Sequence, residues 1–392
     1  MLDQALAGIK VLDLSRILAG PWCTQNLADL GAQVIKVEHP GRGDDTRQWG
    51  PLHTKEEEGG ERLSSYFSCC NRGKRSVAID FAGEAGAQAI RTLVQDADVF
   101  VENFKVGTLA RYGLDYESVR RINPRLIYLA ITGFGQTGPM ADKPGYDYVF
   151  QGMGGLMSYT GQPDGAPGAG PLRTGVAVVD LTTGMYATSA VLAALLQRER
   201  SGQGQYLDIA LLDVAVALNA NQGASYLLSG VNPQRSGNAH PHCAPYEVFQ
   251  CADGHVILAI GNDTQFQRFC QVAGAPELAT DERFASNSNR IAHLPALREL
   301  LTNLFKTRIR RSWTDAFDEA GVPWGPINSL EEVFNDPQVQ HRQMVQALNH
   351  PGLGQIRTVR NPMLSSPHTR SSARVAAPPS LAAPSTEPPS WS

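Results

Sequence analysis

The most constraining feature of the chain is an alternation near its N-terminus. Ile9 to Leu14 reads as a buried strand, and a loop from Ser15 to Pro21 follows. Apolar spacing near 3.6 then predicts a helix from Trp22 to Leu30, stopped by Gly31, and Gln33 to Glu38 reads as a second strand. A strand, a crossover helix and a second strand imply a parallel pair. The pattern repeats: strand at Ser76 to Asp80, helix at Ala85 to Ala97, strand at Val99 to Glu102, helix from Gly107 to Tyr112, strand at Leu126 to Thr132. This predicts an α/β fold whose large domain is a Rossmann-like, doubly wound parallel sheet. The first loop reads Ser15-Arg16-Ile17-Leu18-Ala19-Gly20-Pro21, without G-x-G-x-x-G, so a dinucleotide site is not supported. The carboxyl end of a strand in such a sheet is nevertheless the usual ligand position.

Beyond Phe134 the chain is Gly-rich to Gly175. A short apolar run, Val176 to Val179, reads as a strand ending in Asp180, followed by a helix from about Thr183 to Arg198. A strand at Gln205 to Ile209 and a helix from Leu211 to Leu228 come next. The texture changes after Pro233 to Pro245. Strands at Glu247 to Gln250 and His255 to Ile260 flank Asp253-Gly254, a hairpin signal. Helical patterns follow at Thr264 to Val272, Leu297 to Phe305 and Ser312 to Glu319. The expected organisation is a large domain over 1–215, a smaller α+β domain over 230–322, and a return to the large domain over 325–370. From Ser371 the last 22 residues hold five Pro, six Ser and no Lys, a composition that reads as disordered.

The 392 residues carry 34 basic and 38 acidic side chains, so the charge is −4. That excludes a basic nucleic-acid surface as the organising feature. No run of about 18 apolar residues and no signal peptide is read, so no membrane partner is expected. The six cysteines have no metal spacing and read as reduced thiols of a cytoplasmic protein. His240 and His242 lack further ligands, Ser15 lacks a G-x-S-x-G elbow, and no metal is expected. Asp180, at a junction leading into a helix, is either a helix cap or a carboxylate poised for chemistry.

These segments together resemble the class III CoA-transferase family, which includes formyl-CoA and carnitine CoA-transferases and, as a related branch, α-methylacyl-CoA racemase. The likeness is carried by Gly8 to Arg16, Ala19-Gly20-Pro21, Gly31 to Glu38, Gly43-Asp44, Asn71 to Ser76 and Val101 to Phe104. Gly145-Tyr146-Asp147, Asp180 with Thr183-Gly184, Gly202 to Gln205, Gly321-Val322-Pro323 and Gly325-Pro326 continue it. It runs from about residue 7 to about residue 365. Gly41 to Arg47 and Pro326-Ile327-Asn328 bring the chain nearest to the branch that moves CoA between succinate and glutarate or related dicarboxylates.

The resemblance implies an interlocked homodimer and a CoA-transferase that takes CoA from an acyl-CoA, with succinyl-CoA the expected donor, to a small dicarboxylate. It implies no tightly bound cofactor, coenzyme A being a substrate. It makes Asp180 the catalytic nucleophile, forming an aspartyl anhydride and then an aspartyl-CoA thioester. Backbone N–H groups of Gly152 to Gly155 are candidate oxyanion donors. Substrate and CoA contacts are expected at Arg16, Ile17, Leu18, Ala19, His39, Lys74, Arg75, Asn103, Phe104, Arg111, Tyr146 and Asp147. His39 and Leu18 replace an Arg and a Gln of formyl-CoA transferase, which argues against oxalate or formate. Tyr146 stands where the racemase has His, so an acyl-CoA racemase or isomerase lacks its second acid/base. The remaining alternative is a non-catalytic CoA-binding protein. Relatives end with a Pro-rich run and then Leu-Gly-acidic-His-Thr, which Pro378 to Leu381 begins and Ala382 to Ser392 does not continue. The tail is therefore expected to be non-authentic, replaced through a reading-frame change or truncation.

Overall fold

The computed structural model describes residues 2–54, 62–363, 375–383 and 389–391. The chain divides into two compact units: Met1–Leu156, Arg173–Ser229 and Pro337–Ser392 form the first, Met157–Leu172 and Gly230–Asp336 the second.

The first unit follows the predicted alternation. Its elements are β1 (Lys10–Asp13), α1 (Ala19–Asp29), β2 (Gln33–Glu38), β3 (Leu52–Thr54), β4 (Arg62–Ser64), α2 (Ser65–Cys70), β5 (Lys74–Ala78), α3 (Glu84–Asp96) and β6 (Val99–Glu102). There follow α4 (Tyr116–Ile122), β7 (Ile127–Thr132), α5 (Asp147–Met153), α6 (Val178–Ser201), β8 (Tyr206–Ala210), α7 (Leu211–Ala217) and α8 (Ala220–Ser229). Six parallel strands form one sheet in the order β5-β2-β1-β6-β7-β8. All residues of β6 and β7 are buried, as expected of central strands covered on both faces. One apolar layer joins Val11, Val34, Val101 and Leu129 to α1 and α6, and a second joins Leu12, Ile35 and Phe100 to α3. The long α6 crosses α1 at Gly184, where an added Cβ would stand 2.7 Å from the Ala19 carbonyl oxygen. A side chain there would force the two helices apart.

Strand order reverses at β1, whose neighbours are β2 on one side and β6 on the other. At such a switch point the loops leaving two adjacent strands diverge and open a crevice at their carboxyl ends. The loops concerned are Ser15–Leu18 after β1 and the segment after Glu102 at the end of β6.

The second unit holds β9 (Tyr246–Gln250), β10 (His255–Ala259), α9 (Asp263–Ala273), α10 (Asn287–Ala292), α11 (Leu294–Phe305), α12 (Arg310–Ala320), β11 (Trp324–Pro326) and α13 (Leu330–Asn335). Its antiparallel sheet runs β11-β10-β9. Its core is aromatic, with Phe249 stacked on Phe305 at 4.6 Å and Trp313 4.7 Å from Phe305. The chain returns to the first unit through α14 (Pro337–His341) and the hairpin β12 (Val345–His350) and β13 (Gly354–Val359).

Several expectations are corrected. The run Val176 to Val179 is not a strand: α6 begins at Val178, so Asp180 lies in its first turn. An apolar run of four fits either structure, and the helix prevails because its exposed N–H groups find an acceptor in Asp147, described below. The expected helix Leu211 to Leu228 breaks before Ala220, which has a positive φ of 39°. Gly107 to Tyr112 forms only a 3₁₀ turn, Leu109–Tyr112. The return to the first unit comes at 337 rather than 325, because Trp324–Pro326 pairs with β10. The second unit also takes in Met157–Leu172, which the sequence placed in the large domain.

The expected disordered tail is not seen for 375–383 and 389–391, which lie on the first unit. Gly73 N donates to Ala376 O at 2.9 Å, Ala382 N to Ser76 Oγ at 3.3 Å, and Trp391 Nε1 to Leu93 O at 3.1 Å. The first lies just before β5, an edge strand of the sheet, the second on a β5 side chain, and the third on α3. Among the described residues one helix, Val178–Ser201, has the length and mean hydropathy (1.4) of a membrane span, and half of that window is buried within the protein.

Candidate active site

A cavity of about 270 Å³ opens at the switch point. Its walls are Arg16, Ile17, Leu18 and Ala19 from the β1–α1 loop, Asn103 to Val106 after β6, Ile131 to Gly133 at the end of β7, Lys143 to Tyr146 before α5, and Asp180. A second cavity of about 160 Å³ shares Arg16 and Phe104 with it and adds His39, Arg42 and Phe81.

The backbone around Asp180 decides between the two readings of this residue. Helix α6 has Ala177 at its N-cap, with no side-chain cap of its own. The acceptor comes from elsewhere: Asp147 Oδ1 takes the N–H of Val179 at 2.7 Å and of Asp180 at 3.1 Å. Its Oδ2 accepts from Gln151 Nε2 at 2.6 Å, and Gln151 Oε1 accepts from Thr174 N at 3.0 Å. Asp147 thus satisfies donors that the start of a helix leaves open. Asp180 is relieved of capping and presents its carboxylate to the cavity. Burial, and then the charge of Asp147, push the Asp180 carboxyl up to about 7. Close to half of the molecules would carry the charge at neutral pH.

The β1–α1 loop is held by groups behind it. Arg16 N donates to Asn103 Oδ1 at 2.8 Å, and Asn103 Nδ2 returns a bond to Arg16 O at 2.7 Å. The Arg16 guanidinium lies 5.3 Å from the Phe104 ring centre and 3.2 Å from Asp45 Oδ2. Phe104, like Arg16, lines both cavities.

The structure thus brings Arg16, Ile17, Leu18, Ala19, Asn103, Phe104, Tyr146 and Asp180 to one cavity and His39 to its neighbour. Four expected contacts stand elsewhere. Lys74 is buried, with Nζ bonded to Asp13 Oδ2 at 3.0 Å, Pro21 O at 3.0 Å and Asn71 Oδ1 at 2.8 Å. Its three donors are used inside the protein, and burial lowers its pKa. Arg75 is exposed and reaches Ser390 O, and Arg111 Nε reaches Thr108 O at 3.4 Å. Neither lines either cavity. Asp147 is buried beneath the site as the α6 acceptor and is not a cavity wall. The Gly152 to Gly155 segment lines neither cavity, and the N–H groups of Gly154 and Gly155 bond Phe150 O and Gly152 O at the end of α5.

Three residues were missed. Lys105 and Lys143 line the cavity with Asp180. The Tyr66 hydroxyl is pushed up to about 12 by burial and by the nearby Asp180 charge. Tyr66 lies in α2, a six-residue helix with too little periodicity to read, and each lysine stands in a loop without a motif of its own. Among the described residues no group of three His, Cys, Asp or Glu is placed to hold a metal.

A doubly wound sheet with a charge-tuned carboxylate and several cations in its switch-point crevice has the layout of an α/β enzyme that works on an anionic ligand. The chain belongs to CoA-transferase family III, whose profile it matches over residues 6–383. It is a class III CoA-transferase. It is 51% identical over 361 residues, 92% of this chain and 89% of the relative, to a succinate–glutarate CoA-transferase of Agrobacterium fabrum. It is 41% identical over 353 residues, 90% of this chain and 78% of the relative, to a succinyl-CoA:glutarate CoA-transferase of Homo sapiens. Among solved structures it is similar to a CAIB/BAIF family protein from Brucella suis, with 47% identity, a TM-score of 0.82, and coverage of 97% of this chain and 96% of the other.

Proposed function

We propose that the enzyme moves CoA from succinyl-CoA to glutarate or a similar small dicarboxylate, with Asp180 as nucleophile. The observation that carries this reading is the Asp180 carboxylate, freed from capping by Asp147 and facing a cavity lined by Arg16, Lys105 and Lys143. The names of the relatives at 41–51% identity support the substrates.

In this mechanism the Asp180 oxygen attacks the thioester carbonyl, and the CoA thiolate leaves a mixed anhydride. The thiolate returns to the aspartyl carbonyl, releasing succinate and leaving an aspartyl-CoA thioester. A carboxylate oxygen of the acceptor attacks that thioester, forming a second anhydride and freeing the thiolate again. Thiolate attack on the acceptor's acyl carbon completes the new acyl-CoA and regenerates Asp180. Arg16, with Phe104 beneath it, would face the phosphate-bearing end of CoA, and Lys105 and Lys143 the carboxylates. Coenzyme A enters and leaves as a substrate, so no tightly held cofactor is required. Tyr146, 65% exposed, offers a phenol where an α-proton exchange would need a base.

The working form is proposed to be an interlocked homodimer in the cytoplasm. Exposed apolar side chains on α6 (Met185, Tyr186, Leu196) and α8 (Leu227, Leu228) support a second copy as their cover, and six free thiols support a reducing compartment. Incubation with succinyl-CoA and a panel of carboxylates tests the activity. Transfer to dicarboxylates, abolished by Asp180→Ala, is expected. A chain that binds CoA but transfers it to none of them is a binding protein, and this reading fails.

A further inference from the structure

Ile17 adopts a φ of 73°, in the left-handed region that a β-branched side chain avoids. It does so on the wall of the Asp180 cavity, so something must hold it there. Its N–H points to Asp44, with 3.4 Å to Oδ1 and 3.3 Å to Oδ2. Asp44 is fixed in turn. Lys36 Nζ stands 2.9 Å from Asp44 Oδ2, both side chains being wholly buried, and the same ammonium donates to Ser15 O at 2.9 Å. Thr46 N and Thr46 Oγ donate to Asp44 Oδ1 at 3.0 and 2.7 Å. Burial disfavours both charges, but Asp44, Asp13 and Glu38 together raise the Lys36 pKa, and Lys36 with the Thr46 donors lowers that of Asp44. One buried ion pair therefore ties down two successive parts of the loop, the carbonyl of Ser15 and the N–H of Ile17. Neither the transfer mechanism nor the CoA contacts account for this pair.

We propose that Asp44, backed by Lys36 and Thr46, is a positioning residue that holds Ile17 in its strained conformation and so keeps the β1–α1 loop in the shape that binds CoA. The proposal rests on the transferase reading only in naming CoA as the ligand. Released from the clamp, Ile17 relaxes toward an ordinary φ and the competent loop becomes a minor state. Apparent affinity then falls by the competent fraction. About 1 kcal/mol of backbone strain corresponds to a roughly fivefold loss.

The test is a double-mutant cycle in the full-length protein. CoA dissociation constants come from calorimetry, and KM and kcat for succinyl-CoA are measured beside them. Glycine takes a positive φ without strain, so Ile17→Gly removes the need for the clamp. Asp44→Asn should raise the CoA Kd and KM at least about fivefold with Ile17 present, and less than about twofold in the Ile17→Gly background, with kcat nearly constant. If Asp44→Asn does not fold, Thr46→Val loosens the same carboxylate without stripping Lys36 of its partner. It should weaken CoA binding about threefold, again only where Ile17 is retained. Equal effects in both backgrounds, or no effect of either variant on CoA affinity, overturn the proposal. A wild-type protein that binds CoA without transferring it refutes the transferase reading, while the coupling is still read from Kd.

Discussion

Replacing Asp180, the proposed nucleophile, should make this protein more stable, by an amount that depends on pH. Asp180 has a folded-state pKa of about 7 against 3.8 for an ordinary aspartate, with burial the larger cause and Asp147 the second. A carboxyl whose pKa is raised by folding binds its proton more tightly in the folded state. Its contribution is favourable at low pH and is lost as the pH climbs from about 4 to about 7. The difference of about 3 pH units at 1.36 kcal/mol each sets an upper limit near 4 kcal/mol at pH 8. Asp180 is only half-buried, so solvent screening brings the expected cost to about 2 kcal/mol. Asp180→Asn keeps the shape and removes the charge. It should therefore raise the Tm at pH 8 by about 4–8 °C, taking about 2–4 °C per kcal/mol for a unit of this size. At pH 5 the gain should be less than half as large. Differential scanning calorimetry of both proteins at the two pH values measures this. A variant no more stable than the parent at pH 8, or a gain independent of pH, would falsify the claim that Asp180 is held at an electrostatic cost.

Other consequences follow from the same geometry. The kcat/KM for succinyl-CoA should rise with pH through a limb near 7, as Asp180 loses its proton, and Asp147→Asn should move that limb lower while reducing the rate. A limb unmoved by that substitution would remove Asp147 from the account. Gly184→Ala, which sets a methyl group 2.7 Å from the Ala19 carbonyl oxygen, should cost about 1–3 kcal/mol by denaturant titration. A fully stable variant would show that α1 and α6 can separate freely. Arg75→Ala and Arg111→Ala should leave the KM for succinyl-CoA within about twofold, since neither side chain lines either of the two switch-point cavities. A tenfold rise for either would restore it as a CoA contact.

The sheet was legible because its central strands β6 and β7 are buried on both faces and because helices of readable period follow β1 and β5. Arg16, Asn103 and Phe104 were named through the family resemblance, and the strand order puts their loops, which leave β1 and β6, at one crevice. Contacts that depend on which way a side chain points were not legible. Lys74 lies on β5 next to Arg75, yet one is sealed against Asp13 and the other faces solvent and the tail. No spacing rule in an edge strand says which. Asp147 and Asp180 lie 33 positions apart, and only the packing of α5 on α6 shows that one serves the other's backbone. The β11 strand, Trp324–Pro326, was assigned to the return to the large domain because its three residues straddle the expected boundary and only its pairing with β10 places it in the second unit. The tail escaped because its bonds to Gly73 and Ser76 run through its own backbone, which composition cannot reveal.

The most direct test of the account is to trap the enzyme in mid-reaction. The protein is incubated with succinyl-CoA alone, treated with hydroxylamine, digested, and mapped by mass spectrometry. A hydroxamate on Asp180, formed only when succinyl-CoA is present and accompanied by loss of activity, is the expected result. Full transferase activity after this treatment with Asp180 unmodified, or a hydroxamate on another carboxylate, contradicts the assignment.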